Sequence, residues 1–155
     1  MKIANFKTKV LSTPARDPLA DSLPDIGAKR AFVTLEMTTD DGIEGIGLTF
    51  VPALNASPLL PALRTAVDAL AELTVGQYPL EIEGIMEGLK DATSGSGPGG
   101  VLTLALAAVD IALWDIKGKA LGQSVSTLLG GYRKRVPTYA SGALMRPVNV
   151  GRMAE

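Results

Sequence analysis

A glycine-rich segment near the middle of the chain has the spacing of a phosphate-binding turn. Residues 95–100, Gly95-Ser96-Gly97-Pro98-Gly99-Gly100, match the pattern G-x-G-x-x-G, which joins a parallel strand to a helix in dinucleotide-binding proteins. Here the preceding residues have helical spacing, and Pro98 removes a backbone amide that a phosphate would need. Asp115, the acidic residue in range, falls inside the next predicted helix. We therefore favour a loop that begins a helix, and a nucleotide-binding module stays open as the weaker alternative.

Asp110 and Asp115 are the residues that could bind a metal ion. Residues four or five apart on a helix are expected to lie near one face. Two carboxylates alone make a poor Mg²⁺ site, however. We predict that they cap or pair with basic groups such as Arg133 or Arg135. Trp114, on the same segment, is predicted to lie in the core with its indole N–H bonded internally.

The composition excludes several kinds of site. The chain has no cysteine, so it cannot form a disulfide or a thiolate zinc site. It has no histidine, the commonest general base near neutral pH and the commonest transition-metal ligand. The net charge is −1, with Lys and Arg dispersed, so we expect neither nucleic acid nor a membrane as a partner.

No segment resembles a secretory signal or a membrane span. The opening residues carry no long apolar stretch after the first positive charge. The most apolar segment, 101–114, is interrupted by Asp110 and is shorter than the roughly 20 residues that a bilayer requires. We expect a soluble cytoplasmic protein.

Hydrophobic patterns predict strands over 3–11, 31–37 and 43–50. The second alternates, with Ala31, Val33, Leu35 and Met37 on one face, and Asp40-Asp41-Gly42 predicts the turn of a hairpin. Between the first two strands lies the proline-rich segment 14–29, which is predicted to be a loop. Long loops inside compact domains are often functional.

Helices are predicted over 59–73, 80–90 and 101–119. Ser57-Pro58 is a start signal for the first helix. The third is apolar on nearly all sides as far as Asp115 and is predicted to be buried. A short helical turn over 124–129, closed by Gly130-Gly131, precedes a further predicted strand over 136–140. Strands followed by a run of helices predict an α+β fold.

The segment AAVDIALWDIKGKA at residues 107–120 resembles the signature helix of the mandelate racemase and muconate-lactonizing enzyme family, a branch of the enolase superfamily. The turn DGIEGIG at 41–47, LLGG at 128–131 and the basic RKR at 133–135 continue the resemblance in the family's order. Leu48 stands about where many members carry an acidic residue. The motifs cover nearly the whole chain.

The resemblance implies a capping domain over 1–131, with a three-stranded antiparallel sheet followed by a helical bundle. Residues 132–155 would then be a linker and the first strand of a TIM-like (β/α) barrel that is not completed in this chain. Active sites of barrel enzymes lie at the carboxyl ends of the barrel strands. The whole chain therefore corresponds to the part of the family that precedes the catalytic residues.

The family chemistry is proton abstraction next to a carboxylate, with the enolate stabilised by Mg²⁺. The resemblance implies a racemase, cycloisomerase or sugar-acid dehydratase acting on a small carboxylate or acid-sugar substrate. Its metal ligands and bases lie beyond residue 155, so we assign no catalytic and no metal-binding residue within the chain, and whether the chain is itself an enzyme stays open. We expect a homo-oligomer. The alternative is a truncated, non-catalytic chain that serves as a scaffold or oligomerisation domain.

Substrate selection is the role that the resemblance leaves to this chain, because the family's capping domain closes two loops over the active site. These correspond to 17–28, with polar side chains, and 50–57, with an apolar wall. The barrel strand adds a serine and, two residues away on the same face, a tyrosine. The assigned substrate-binding residues are Asp21, Phe50, Pro52, Leu54, Tyr139 and Ser141. Further candidates in the same loops are Asp17, Asp25, Lys29 and Val51. The alternative is that both loops are solvated connections.

Lys117-Gly118-Lys119 has the spacing of the lysine bases that many family members carry. Those bases lie on a barrel strand, where alternate residues share a face. Here the motif closes a predicted helix, whose carboxyl end favours cations. We therefore predict a structural role for both lysines.

Overall fold

The computed structural model describes residues 1–14, 29–51, 58–96 and 99–139. Within these ranges a three-stranded antiparallel sheet is followed by helices. The strands are β1 (Ile3–Pro14), β2 (Lys29–Thr39) and β3 (Glu44–Thr49), with β2 in the middle. The helices are α1 (Leu60–Glu72), α2 (Ile82–Ala92), α3 (Gly100–Leu121) and α4 (Val125–Leu128), and a 3₁₀ turn at Ser94–Ser96 precedes α3. The predicted α+β fold is confirmed.

The β1–β2 hairpin is longer than the sequence pattern predicted. Its pairing runs from Ile3 opposite Thr39 to Pro14 opposite Lys29. Hydrophobic alternation marks only the residues that pack on the core, whereas backbone pairing continues beyond them. The predicted loop 14–29 is therefore bounded by paired residues, and its interior, 15–28, lies outside the described residues.

The turn between β2 and β3 is built as predicted. Gly42 has a φ of +85° and donates its amide hydrogen to the Thr39 carbonyl oxygen at 3.0 Å. This left-handed conformation favours glycine because a side chain would strain it. β3 therefore returns directly alongside β2.

The sheet covers the helices with its apolar face. Val33, Leu35 and Met37 are fully buried on β2, as the alternation predicted. They belong to one continuous hydrophobic core with residues of α1, α2 and α3. The helical residues buried most completely in this core are Leu63, Val67, Ala71, Ala105, Ala108, Val109, Ala112, Leu113 and Ile116.

Two glycines of β3 allow α3 to lie directly against the strand. A Cβ on Gly45 would collide with the Ala112 carbonyl oxygen and the Ile116 side chain, and a Cβ on Gly47 would overlap the Ala108 carbonyl oxygen. Only glycine fits at either position. The G-x-G of the 41–47 turn motif therefore serves close packing of strand on helix.

The start of α1 was predicted too early. The sequence pattern placed a Ser57 cap before Pro58, but α1 begins at Leu60, and Leu59 at the cap position makes no side-chain capping bond. Pro61 takes the role predicted for Pro58, because it occupies the first turn, where a missing amide hydrogen leaves no intrahelical bond unmade. Ser57 lies outside the described residues.

Residues 132–139 carry no regular secondary structure. The strand predicted over 136–140 is therefore not formed in its described part, 136–139, and residue 140 lies outside the described residues. A barrel strand is stabilised by hydrogen bonds to neighbouring strands, and no described strand lies beside this segment. The boundary between 131 and 132 stays a prediction. Across 1–14, 29–51, 58–96 and 99–139, no helix has the length and apolarity needed to cross a membrane.

Candidate functional site

The carboxyl end of β3 presents the apolar side chain predicted to face a substrate. Phe50 directly follows the strand and is 46% exposed, and its ring lies edge-on to Phe32 with the centroids 5.8 Å apart. Val51 packs against the core. The remaining two members of the predicted wall, Pro52 and Leu54, lie outside the described residues. The Phe50 side chain is therefore about half exposed to solvent, and Phe32 contacts its ring on one side.

Phe50 continues a larger apolar surface on the side of the sheet that faces away from the helices. The pairing places Phe32 opposite Leu11 on β1, and Leu48 and Ile46 follow on β3. We call this surface, Leu11, Phe32, Ile46, Leu48 and Phe50, the outer sheet face. Four of these side chains are more than 40% exposed, so this face is apolar and open to solvent in the described residues.

One ion pair crosses the outer sheet face. Lys9 Nζ lies 2.5 Å from Glu36 Oε1. The hydrogen bond from Lys9 lowers the pKa of the Glu36 carboxyl, and the positive charges of Lys9 and Lys7 act in the same direction. The face therefore combines exposed apolar side chains with paired charge.

The other predicted substrate-binding residues are not brought to Phe50 within the described part of the chain. Tyr139 is 83% exposed, and no ring contact joins it to another described aromatic side chain. Asp21 and Ser141, together with the further candidates Asp17 and Asp25, lie outside the described residues. Lys29 opens β2 opposite Pro14. Of the predicted site residues that the structure describes, Phe50 and Val51 lie together, whereas Tyr139 and Lys29 lie elsewhere.

Asp115 and Lys119 form a contact that the sequence analysis missed. Asp115 Oδ2 accepts the Ile46 amide hydrogen at 2.8 Å and lies 2.8 Å from Lys119 Nζ. Lys119 Nζ also donates to the Glu44 carbonyl oxygen at 2.7 Å. The prediction that Asp115 pairs with a basic group is confirmed, but the partner is Lys119, one turn away on the same helix, rather than Arg133 or Arg135. The available signal was this Asp–Lys spacing of four residues.

Asp110 and Asp115 do not share a face, contrary to the expectation that made them candidate metal ligands. Five helical residues turn by about 140°, so the two carboxylates point to different sides of α3. Asp115 reaches β3, whereas Asp110 lines a groove of about 600 Å³ with Met86 and Lys90 of α2. In the described ranges, no group of three or more Asp, Glu, His or Cys side chains lies close enough together to hold a metal ion. The described residues therefore do not form a Mg²⁺ site.

The Asp110 carboxyl is partly shielded from water. This burial raises the pKa of the Asp110 carboxyl, and the negative charge of Glu83 acts in the same direction. The neighbouring Trp114 side chain and the charge of Lys90 oppose the rise. Trp114 packs against the core as predicted, and the internal hydrogen bond of its indole N–H stays a prediction.

Asp110→Asn is expected to stabilise the domain near neutral pH. A carboxyl whose pKa is raised by folding binds its proton more tightly in the folded state, so stability falls as pH rises from the ordinary carboxyl pKa through the raised one. The melting temperature should increase by on the order of 1–3 °C at about pH 7. Below about pH 4 the variant and the original chain should melt together. Thermal unfolding at both pH values measures this, with exposed Asp91→Asn as a control, and a lower melting temperature of Asp110→Asn at about pH 7 would contradict it.

The lysine motif closes α3, as predicted. Lys117 Nζ donates to the Leu80 carbonyl oxygen at 3.2 Å and lies 5.2 Å from the centroid of the Trp114 ring. Lys119 reaches the opposite side, toward β3. The two ammonium groups thus bind different neighbours and do not converge on one point.

The glycine-rich loop is preceded by a helix and a 3₁₀ turn. α2 and the turn at Ser94–Ser96 stand where a dinucleotide-binding unit has a parallel strand. α3 begins at Gly100, after Gly99 and Gly100 with φ values of +116° and +56°. This arrangement agrees with a loop that begins a helix.

These observations define a small α+β domain in which an antiparallel sheet packs on one long central helix. Residues 6–130 match the family described as mandelate racemase / muconate lactonizing enzyme, N-terminal domain. The chain belongs to this family, and the resemblance carried by the 41–47 turn and the 107–120 helix is confirmed.

The named relatives are cycloisomerases and sugar-acid dehydratases. The D-galactarolactone cycloisomerase of Agrobacterium fabrum (strain C58) is 37% identical over 157 residues, which cover 100% of this chain and 39% of the relative. A D-galactonate dehydratase family member of Pseudarthrobacter chlorophenolicus is 43% identical over 118 residues, or 74% of this chain and 27% of the relative. The chain therefore spans well under half the length of these relatives.

The solved structures agree on the fold. L-talarate dehydratase from Polaromonas sp. JS666, complexed with Mg and L-glucarate, superposes with a TM-score of 0.71 at 26% identity. The alignment covers 87% of this chain and 36% of that one. The sheet and helices described above are thus the N-terminal capping arrangement of the enolase superfamily.

Proposed function

We propose that this chain is the capping and substrate-selecting part of a Mg²⁺-dependent enzyme that abstracts the proton next to the carboxylate of an acid sugar or its lactone. The observation that carries the proposal is the 37% identity to a D-galactarolactone cycloisomerase over the whole of this chain. Cycloisomerisation and dehydration both begin from an enolate, so one capping domain serves either outcome.

The contribution of this chain in that enzyme is selection and exclusion of water. Phe50, half-exposed at the end of β3 and supported by Phe32, offers an apolar contact to the carbon skeleton of a substrate. Removing water strengthens every electrostatic interaction inside an active site. Bound Mg²⁺ would stabilise the enolate, and since the described residues do not fit it, its ligands are assigned to the barrel that follows in the relatives.

A homo-oligomer in the cytoplasm is part of the same proposal. The support for association is the outer sheet face, because exposed apolar patches on folded domains often mark protein contacts. Scaffolding alone, without catalysis, is the second candidate, and this apolar face favours it as well. An activity assay separates the two.

The full-length product of the gene is expected to convert at least one acid sugar or lactone. A suitable panel is D-galactarolactone, D-galactonate, L-talarate, galactarate and L-glucarate, assayed by NMR for loss of water or ring opening. Activity should require Mg²⁺, disappear with EDTA and return when excess Mg²⁺ is added. Pure, folded full-length protein that leaves the whole panel unchanged would contradict the enzymatic proposal and favour the scaffold.

A further inference from the structure

Among the described strands β3 is at the edge of the sheet, so half of its backbone groups pair with no described strand. In the described part of the chain, α3 supplies the hydrogen bonds at this edge from two side chains. Asp115 binds the Ile46 amide and Lys119 binds the Glu44 carbonyl oxygen. The Asp115–Lys119 pair therefore holds one donor and one acceptor of the same strand segment.

The contact between β3 and α3 is close and is made largely by backbone. Gly45 and Gly47 of the strand lie against Ala112 and Ala108 of the helix, and a Cβ on Gly45 would also meet the Ile116 side chain. Interlocking side chains ordinarily fix how far one element can slide along another. On β3, the ladder to β2 holds one edge of the strand. The hydrogen bonds from Asp115 and Lys119 hold the other edge directly to α3.

Phe50 lies four residues beyond the point where Asp115 binds the strand. At a rise of about 3.3 Å per residue, this distance is roughly 13 Å along β3. No turn intervenes, since β3 continues to Thr49 and Phe50 follows directly. A shift of β3 relative to α3 and β2 is therefore transmitted to the Phe50 ring and to its contact with Phe32 on β2.

We propose that the Asp115–Lys119 pair is a positioning device for substrate selection, which fixes β3 along α3 and so holds Phe50 in place at the substrate. This role rests on the proposed function, in which Phe50 contacts the substrate. Neither Asp115 nor Lys119 touches the reacting atoms. Their effect reaches the substrate through Phe50.

Kinetics of the full-length enzyme test the proposal. Asp115→Ala removes the acceptor for the Ile46 amide, and we expect KM to rise roughly tenfold while kcat changes less than about twofold. Asp115→Asn retains an acceptor oxygen and should keep KM within about twofold of the original enzyme. Phe50→Ala should raise KM similarly, and the double variant should show no further increase, because both changes remove the same contact.

Asp68→Ala is the matched control. Asp68 is a partly exposed carboxylate on α1 that accepts a hydrogen bond from the Thr8 hydroxyl at 2.6 Å, so it joins a helix to β1 at the opposite edge of the sheet. Its loss should lower the melting temperature without a change in KM. Equal changes in KM for Asp68→Ala and Asp115→Ala would show that the Asp115–Lys119 pair only stabilises the fold in general, and would overturn the proposal.

NMR of the 155-residue chain separates this proposal from the proposed function. In Asp115→Ala we expect the Ile46 amide to exchange at least about tenfold faster and the Phe32–Phe50 ring contact to weaken. Asp68→Ala should change neither signal. If the original enzyme converts no acid sugar, the proposed function fails and these signals alone decide the positioning role. An unchanged Phe32–Phe50 contact in folded Asp115→Ala would overturn it.

Discussion

Gly47→Ala is expected to destabilise the domain by about 3 kcal/mol or more. The new methyl group would overlap the carbonyl oxygen of Ala108, a backbone atom of α3. A side chain in the way could rotate, but a helix carbonyl cannot move without breaking the hydrogen bonds of its turn. β3 would therefore have to leave α3, and the buried contact between them would be lost.

Urea denaturation of both proteins measures this effect, with Gly88→Ala as the matched control. Gly88 lies inside α2, where a Cβ would meet no atom within 4 Å. Alanine favours a helix more than glycine does, so this control should gain about 0.5–1 kcal/mol of stability. The same glycine-to-alanine change is thus expected to lower the free energy of unfolding at position 47 and to raise it at position 88. A Gly47→Ala protein as stable as the original would show that β3 does not lie against α3 as described.

Leu113→Ala is expected to cost about 2–5 kcal/mol. Leu113 is completely buried near the middle of α3 and belongs to the core formed by the sheet and the other helices. The substitution removes the favourable free energy of burying these side-chain atoms. It also leaves a cavity, because the surrounding elements are packed on several sides and cannot collapse fully. Chemical denaturation of the folded variant gives the change in free energy of unfolding directly.

Ile111→Ala on the same helix is the control for Leu113→Ala. Ile111 is 46% exposed, so its truncation should change the free energy of unfolding by less than about 1 kcal/mol, and the better helix propensity of alanine offsets part of the loss. In a longer protein that covers this side of α3, the cost of Ile111→Ala should increase. If Leu113→Ala and Ile111→Ala lowered the free energy of unfolding of the 155-residue chain equally, α3 would present a different face to the core than the one described.

The predicted site was only partly locatable from sequence. Phe50 was assigned because the family resemblance implies that the 50–57 loop lies over the active site, and the structure puts it at the end of β3 with a half-exposed ring. The partner of Asp115 was missed, because a carboxylate can be paired by residues near in sequence or distant from it. Its strand partner, Ile46, is 69 residues away. Nothing in the local pattern around Asp115 indicates which strand will lie beside it.

The sequence by itself determined the features that depend on short-range repetition. The alternation of Val33, Leu35 and Met37 predicts the buried face of β2, and Asp40-Asp41-Gly42 predicts the hairpin, because a strand period of two and a turn conformation are properties of a few neighbouring residues. The order of these elements and the motifs at 41–47 and 107–120 were enough to indicate the family.

Only the tertiary structure decided which side of α3 is used. The helix is apolar on nearly all sides as far as Asp115, so its sequence contains no stripe that predicts its orientation. The orientation follows from the two glycines of β3, which admit the backbone of α3 at Ala108 and Ala112. That choice sends Asp115 to the edge of the sheet and Asp110 to the groove beside α2. Contacts between distant segments, rather than any local preference, therefore set the position of β3 and of Phe50 at its end. They are the close packing at the two glycines and the hydrogen bonds from Asp115 and Lys119.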